Sequence, residues 1–221
     1  YSLTYPLSAI ASIFLILGFY RIGKILFKHR YIRNSLQEIC ILNFQYIPIS
    51  LIFIYLIFYP LVLFFNIHSD IFYFTSILIL LIGIWHFIDK IQNLKIKYNN
   101  LFNNLYSLTL FIFVLLYFFL SLGPITDADS LDYHISIPIH IINYGIFPKD
   151  ISWFHASQAG IGEIPIILGL IIGAEQFSTL VQFSGFISIL GIIKKNIKTN
   201  NNIKYFKNEF YLILIFLSIP L

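Results

Sequence analysis

The sequence contains no methionine and a single cysteine, Cys40. One thiol cannot close an internal disulfide or build a thiolate metal site, so neither holds this chain together. Charge is the next scarcity. Only 11% of the residues are Asp, Glu, Lys or Arg, against about 25% in a soluble domain. That excludes an ordinary water-soluble fold. No HxxxH or HExxH spacing occurs, which removes the simplest zinc-ligand patterns. No internal repeat is visible either, which weakens an inverted-repeat transporter reading. With no methionine at position 1 and an apolar run at the end, the 221 residues are expected to be a piece of a longer chain. Ile, Asn, Lys, Phe and Tyr are abundant while Arg and Ala are scarce, the mark of an AT-rich genome, so single Asn and Lys residues in loops carry little weight.

What fills the chain is hydrocarbon: 58% of the residues are hydrophobic and 19% aromatic. Several runs reach the ~18 apolar residues that cross a bilayer. The expected fold is all-α, a polytopic helical membrane protein, with spans at 3–20, 44–65, 71–88 and 105–122. A further crossing is expected at 175–193, and another span begins at 210. Residues 164–174 are too short to cross and are expected to lie against the outer side of the membrane. The first run is not a signal peptide, because its basic cluster follows the apolar stretch.

The net charge of +4 invites a nucleic-acid reading, but the placement of the basic residues excludes it. Blocks at 21–33, 90–97 and 194–207 hold 13 of the 14 Lys and Arg residues, and only Lys149 lies elsewhere. Short basic blocks between spans are topology signals. With them cytoplasmic, the N-terminus, the 66–70 link and the segment 124–158 all face outward. The default location is a bacterial inner membrane.

That outward segment is where the chemistry concentrates. It holds four of the six aspartates and three of the six histidines, and loops longer than ~12–15 residues are uncommon without a function. On a helical projection Asp129, Asp132, Tyr133, Ser136, His140 and Asn143 fall within roughly 60° of one direction. Ile135, Ile139 and Ile142 fall on the other side, so 130–143 reads as an amphipathic interfacial helix with its apolar side down. Pro138 should kink it or end its first half, and Gly145 should stop it. Asp127 and Asp129 suit a general base or a hard divalent cation such as Mg or Mn; an aspartate pair also serves as a plain turn former or helix N-cap. His134 falls off the polar face and either packs or points to a separate pocket. Glu163, before an apolar run, is either a helix-end anchor or a site residue, since an acid there is costly unless paired. Tyr133, Tyr144 and Trp153 read first as interface-belt aromatics.

The order of motifs carries a resemblance. A span ends in Asp127-Ala128-Asp129; then come D-S-L-D-Y-H, an apolar segment, N-Y-G-I-F-P and later G-E-I-P. This resembles the first outer loop of GT-C glycosyltransferases, in particular the bacterial branch of protein O-mannosyltransferases and aminoarabinose transferases. Asp129, Tyr133 and Gly145 hold that branch's spacing. Asp129-Ser130 stands where the branch commonly has Asp-Glu, and the motif follows the fourth span instead of the first. The likeness covers residues 123–195.

The resemblance implies transfer of a sugar from a polyprenyl-phosphate donor to a lipid or glycan acceptor of the cell envelope, without nucleic acid. It implies Asp129 as catalytic base; Asp127, Asp132, Tyr133, His134, His140, Lys149, His155 and Glu163, in or near the same outward segment, are the candidate substrate-binding residues. In this reading residues 1–104 supply membrane spans, and 105–221 a GT-C-like core with its catalytic loop at 124–158. A transporter or flippase of lipid-linked saccharides, or an envelope polymerase or ligase, is the alternative. A transporter would favour ionisable residues deep in the spans, where His86 and Glu175 are the few available.

Overall fold

The computed structural model describes residues 3–28, 45–93, 105–126, 130–149 and 162–199. All regular structure among them is helical. Four long helices come first: α1 (Tyr5–Lys28), α2 (Tyr46–Phe64), α3 (Ser69–Gln92) and α4 (Leu105–Ser121). A π-helical turn (Ser130–Ile135) leads directly into α5 (Ser136–Tyr144); α6 (Glu163–Leu170) and α7 (Phe177–Thr199) complete the chain. Among the described residues, α1, α2 and α3 are long and apolar enough to cross a membrane. At 1.5 Å per residue the 24 residues of α1 extend about 36 Å, more than the ~30 Å hydrocarbon layer.

The apolar runs place these helices well, and the differences at their ends have physical causes. α1 continues past Tyr20 to Lys28, because Arg21, Lys24 and Lys28 are competent helix formers, no proline intervenes, and Gly23 is needed where the helix meets the Tyr46 backbone. Pro48 costs α2 nothing, since its missing N–H falls among the orphan donors of the first turn. Pro60 lies inside α2 near its last turn.

α1 and α3 meet backbone to backbone. A Cβ on Gly83 would stand 1.8 Å from the Phe14 carbonyl oxygen, and one on Gly18 would stand 2.1 Å from that of Ile79. Only hydrogen fits at either place, which is how small residues let helices associate in a membrane. Around this crossing Leu15, Phe19, Phe72 and Ile79 are buried, and Phe19 stacks on Phe177 with ring centroids 5.4 Å apart. α4 packs separately on α7, through Phe118 against Phe183 and Tyr117 against Phe186. The Thr179 hydroxyl donates to the Ser121 carbonyl at 2.5 Å.

α6 overturns the expectation for residues 164–174. It does not lie on an outer surface: every residue from Glu163 to Gly169 is buried, and Ile164, Ile167 and Leu168 share one apolar cluster with α1, α2, α3, α5 and α7. A short helix that is apolar all round satisfies its surface in the protein interior as readily as in lipid.

The two ends of the bundle differ in charge. At one end Arg21 sits over the Trp85 ring at 4.9 Å, with Lys24, Lys28 and Lys90 on the same last turns of α1 and α3. At the other end the first turn of α1 meets the start of α7. There the Ser8 hydroxyl accepts from the Glu175 N–H at 3.0 Å and donates to Gln176 Oε1 at 2.5 Å. The Tyr5 hydroxyl donates to the Leu122 carbonyl. The α2–α3 link joins this end by donating the Ile67 N–H to the Gly145 carbonyl at 3.1 Å.

Candidate functional site

The segment that concentrates the chemistry is built from short pieces with specific caps. The Ser136 hydroxyl donates to the Leu131 carbonyl five residues back, at 2.6 Å. Pro138 has no N–H to close an ordinary α turn behind it, so the wide turn absorbs one residue before α5 begins. Single wide turns of this kind recur at functional sites. At the far end Gly145 adopts φ 74° and donates its N–H to the Ile141 carbonyl at 2.8 Å, ending α5. This is the stop that the sequence predicts. A side chain there would also strike the Asn66 Oδ1 atom, 2.0 Å from where a Cβ would stand.

The face assignment of this segment changes. Ile137, Pro138 and Ile141 form the side packed into the bundle, and His134 precedes them by three, four and seven residues. Ile135, Ile139 and Ile142 line a cavity of about 1,210 Å³, and of the three Ile142 also packs against the core. Asn143 and Tyr144 are exposed. The apolar residues therefore serve two surfaces, one against protein and one along the cavity, a distinction that a two-sided helical projection does not hold.

His134 reaches Glu163, with Nδ1 3.2 Å from Oε1. The glutamate side chain is 7% exposed and the histidine 34%. Glu163 opens α6, where the helix dipole favours an anion. Burying a carboxylate costs several kcal/mol unless it is paired, and the imidazole is one such partner. Tyr55, midway along α2, lies within electrostatic reach of the same carboxylate. An imidazole held through Nδ1 has its ring orientation fixed by the carboxylate.

The remaining predicted residues are distributed unevenly. His140 lies half-buried with its ring centroid 4.5 Å from that of Tyr144, and burial lowers its pKa below the ordinary 6.5. Lys149 is exposed. Asp132 and Tyr133 belong to the π-helical turn by backbone, and their side chains lie outside the described residues, as do Asp127, Asp129, Trp153 and His155 entirely. Both described flanks of the 127–129 stretch, Ile125 and Leu131, line the cavity. Among the described residues no three His, Cys, Asp or Glu side chains converge as a metal site would need.

Sequence reasoning did not find Asp70 and Tyr55, and it weighed Glu175 only for a transporter. Asp70 and Glu175 lie at the cavity, and no motif marks them. Their signal is only that an acid adjoins an apolar run.

The described residues together define a helical protein with three helices of membrane-crossing length, a half-buried histidine paired with a buried glutamate, and a large, mainly apolar cavity. Residues 84–221 match the DUF1420 N-terminal domain, and the chain belongs to that family. No curated protein matches the chain, and no solved structure does.

Proposed function

We propose that this chain is part of a polytopic membrane enzyme of the GT-C kind. It would transfer a sugar from a polyprenyl phosphate to a cell-envelope acceptor at the outer face. The observation that carries the reading is the contact of His134 with the buried Glu163, which α6 holds against the segment that bears Asp129 and Asp132. A buried ionisable residue in a membrane protein marks a functional site. Their place in a chain whose described basic residues on the long helices gather at the opposite end supports an outward site.

In the proposed step Asp129 takes the proton from the acceptor hydroxyl or amine as that atom attacks the anomeric carbon. The bond from the anomeric carbon to the phosphate oxygen breaks, and polyprenyl phosphate leaves with the electron pair. The charge developing on the departing phosphate is met by Lys149, His134 and His155 of the same stretch, His134 being oriented by Glu163. The two flanking ends of the 127–129 stretch at the cavity agree with substrates arriving there.

The test measures transfer in the full-length protein with Lys149 in place, and orientation in a matched Cys40→Ser, Lys149→Cys derivative of each variant. Asp129→Asn should abolish sugar transfer from a polyprenyl-phosphate donor, and Glu163→Gln should lower it by roughly 10²–10⁴-fold, the size of general acid–base contributions. Both variants should still label at position 149 with an impermeant thiol reagent applied from outside. Wild-type turnover by Asp129→Asn would sink the base assignment, and labelling only after permeabilisation would overturn the orientation.

One observation favours the transporter reading instead. His86 is buried inside α3, 4% exposed, and its Nδ1 has no hydrogen-bond partner among the described residues. A transporter would move the lipid-linked sugar with its glycosidic bond intact. Recovery of unaltered donor on the opposite side of a proteoliposome would select that reading over the enzyme.

A further inference from the structure

The cavity beside α5 has a polarity gradient along its length. From α3 it is lined by Ser69 at the helix start and then by Asp70, Tyr73, Ile77 and Leu80, a single helix face at spacings of three, four and three residues. Over those ten residues, about 15 Å at 1.5 Å per residue, the lining passes from a carboxylate through a phenol to pure hydrocarbon. Ile135, Ile139 and Ile142 line it from α5. At about 1,210 Å³ it exceeds the ~300–1,000 Å³ of ordinary small-molecule sites. Its dimensions and its gradient suit an amphiphile with its headgroup beside Asp70 and its chain toward Leu80.

The charge at the cavity is of one sign. Among the described lining residues the ionisable side chains besides Tyr73 are Asp70 and Glu175, with no Lys or Arg. Asp70 is steadied by the exposed His68, whose Nδ1 lies 3.0 Å from Oδ2. Two carboxylates repel a phosphate or phosphoglycerol headgroup and accept hydrogen bonds from an ammonium, which offers three donors. A quaternary ammonium offers none.

We propose that this cavity binds a membrane lipid whose headgroup carries a primary ammonium, of the phosphatidylethanolamine kind, with one acyl chain laid between α3 and α5. The site rests on the membrane-crossing part of the reading above and not on sugar transfer. In an enzyme of that reading the amine-bearing lipid occupies the acceptor side, since an acidic rim is the wrong surface for a polyprenyl phosphate.

The experiment reconstitutes the full-length protein into phosphatidylcholine vesicles. These are doped with phosphatidylethanolamine or phosphatidylglycerol carrying the same photoactivatable acyl chain. The ethanolamine probe should label the stretch 131–143 about two- to tenfold more than the glycerol probe, the preference that two partly exposed ion pairs supply. Asp70→Asn with Glu175→Gln should bring that ratio to near one, and Asp70→Lys with Glu175→Lys should invert it. The Asn/Gln variant keeps the shape of both side chains, so an unchanged melting temperature separates lost recognition from lost fold. Equal labelling by both probes in the wild type, or a ratio unmoved by charge reversal, overturns the proposal. Preferential labelling by a photoactivatable polyprenyl phosphate also overturns it, while strengthening the sugar-donor reading. Loss of sugar transfer alone, with the lipid preference intact, would count only against that reading.

Discussion

The α1–α3 pair and the segment from the π-helical turn to α6 occupy one molecule under opposite rules. α1 and α3 are 24 residues each, unbroken, and their backbones touch through Gly18 and Gly83. The other region divides into elements of six, nine and eight residues. Every short helix leaves orphan N–H and C=O groups at its ends, and at membrane depth these are tolerated only where buried in protein or lining a cavity. Here Ser136 serves the Leu131 carbonyl and Ile67 serves the Gly145 carbonyl. The long pair supplies rigidity by close approach. The broken region accepts capping costs and in exchange brings a histidine and a glutamate together across 29 residues.

The sharpest way to break that division is to act on the rigid half. Gly83→Leu should have the largest effect of any change discussed. Overpacking costs ~1–3 kcal/mol when side chains can yield, but the obstacles at Gly83 are the Phe14 carbonyl and the Gly18 nitrogen, both backbone atoms. The crossing must open, which exposes Leu15 and Ile79 to a changed neighbourhood. We expect loss of a monodisperse, folded protein after detergent extraction, measured by size-exclusion profile and thermal melting. Glu163→Gln, in the broken half, should extract and melt nearly as the wild type does. Equal stability of the Gly83→Leu and wild-type proteins would show that α1 and α3 do not hold the fold.

A middle-sized effect is expected where the two regimes meet. Gly145→Val forces a side chain into the left-handed region, at about 1–2 kcal/mol from the backbone alone. It also pushes a Cβ against Asn66 and the Ile67 carbonyl. The α2–α3 link should detach from α5 while both long helices persist. Hydrogen exchange should then quicken at Ile67 and along α5, and remain slow in the middle of α1. Uniformly faster exchange across the chain would mean that this junction is part of the global fold.

The same division explains what the sequence discloses. The long helices are legible because each is a continuous apolar run ended by basic residues or a polar link; α4 begins at Leu105, where the run begins. Gly145 is legible because only a few residue types accept a left-handed stop. The His134–Glu163 pair is not legible, since the two residues belong to different elements and their meeting depends on α6 turning inward. Composition cannot foretell that turn, because the sequence E-I-P-I-I-L-G-L reads alike for lipid and for protein surroundings. The cavity is hidden for a related reason. Its acidic rim draws Asp70 and Glu175 from segments 105 residues apart in sequence, and neither sits in a motif. Asp127 and Asp129, where the motif is clearest, lie outside the described residues.

The smallest effect we predict concerns pH within the broken half. Burial lowers the His140 pKa from 6.5 and favours the neutral ring that packs on Tyr144. The unfolded segment therefore binds the proton at a higher pH than the docked one. Stability contributed by neutral His140 is fully present above about pH 6.5 and is lost as pH falls through the lowered value. Amide exchange in α5 should accordingly quicken as pH falls below about 6.5, after correction for intrinsic exchange. His140→Phe keeps an aromatic ring against Tyr144 and removes the titration, so its α5 should lose that extra pH dependence. The difference between wild type and His140→Phe is the quantity that decides. An identical pH response in the two proteins would show that His140 is not its source. Slower exchange at the lower pH would contradict the sign argued from burial.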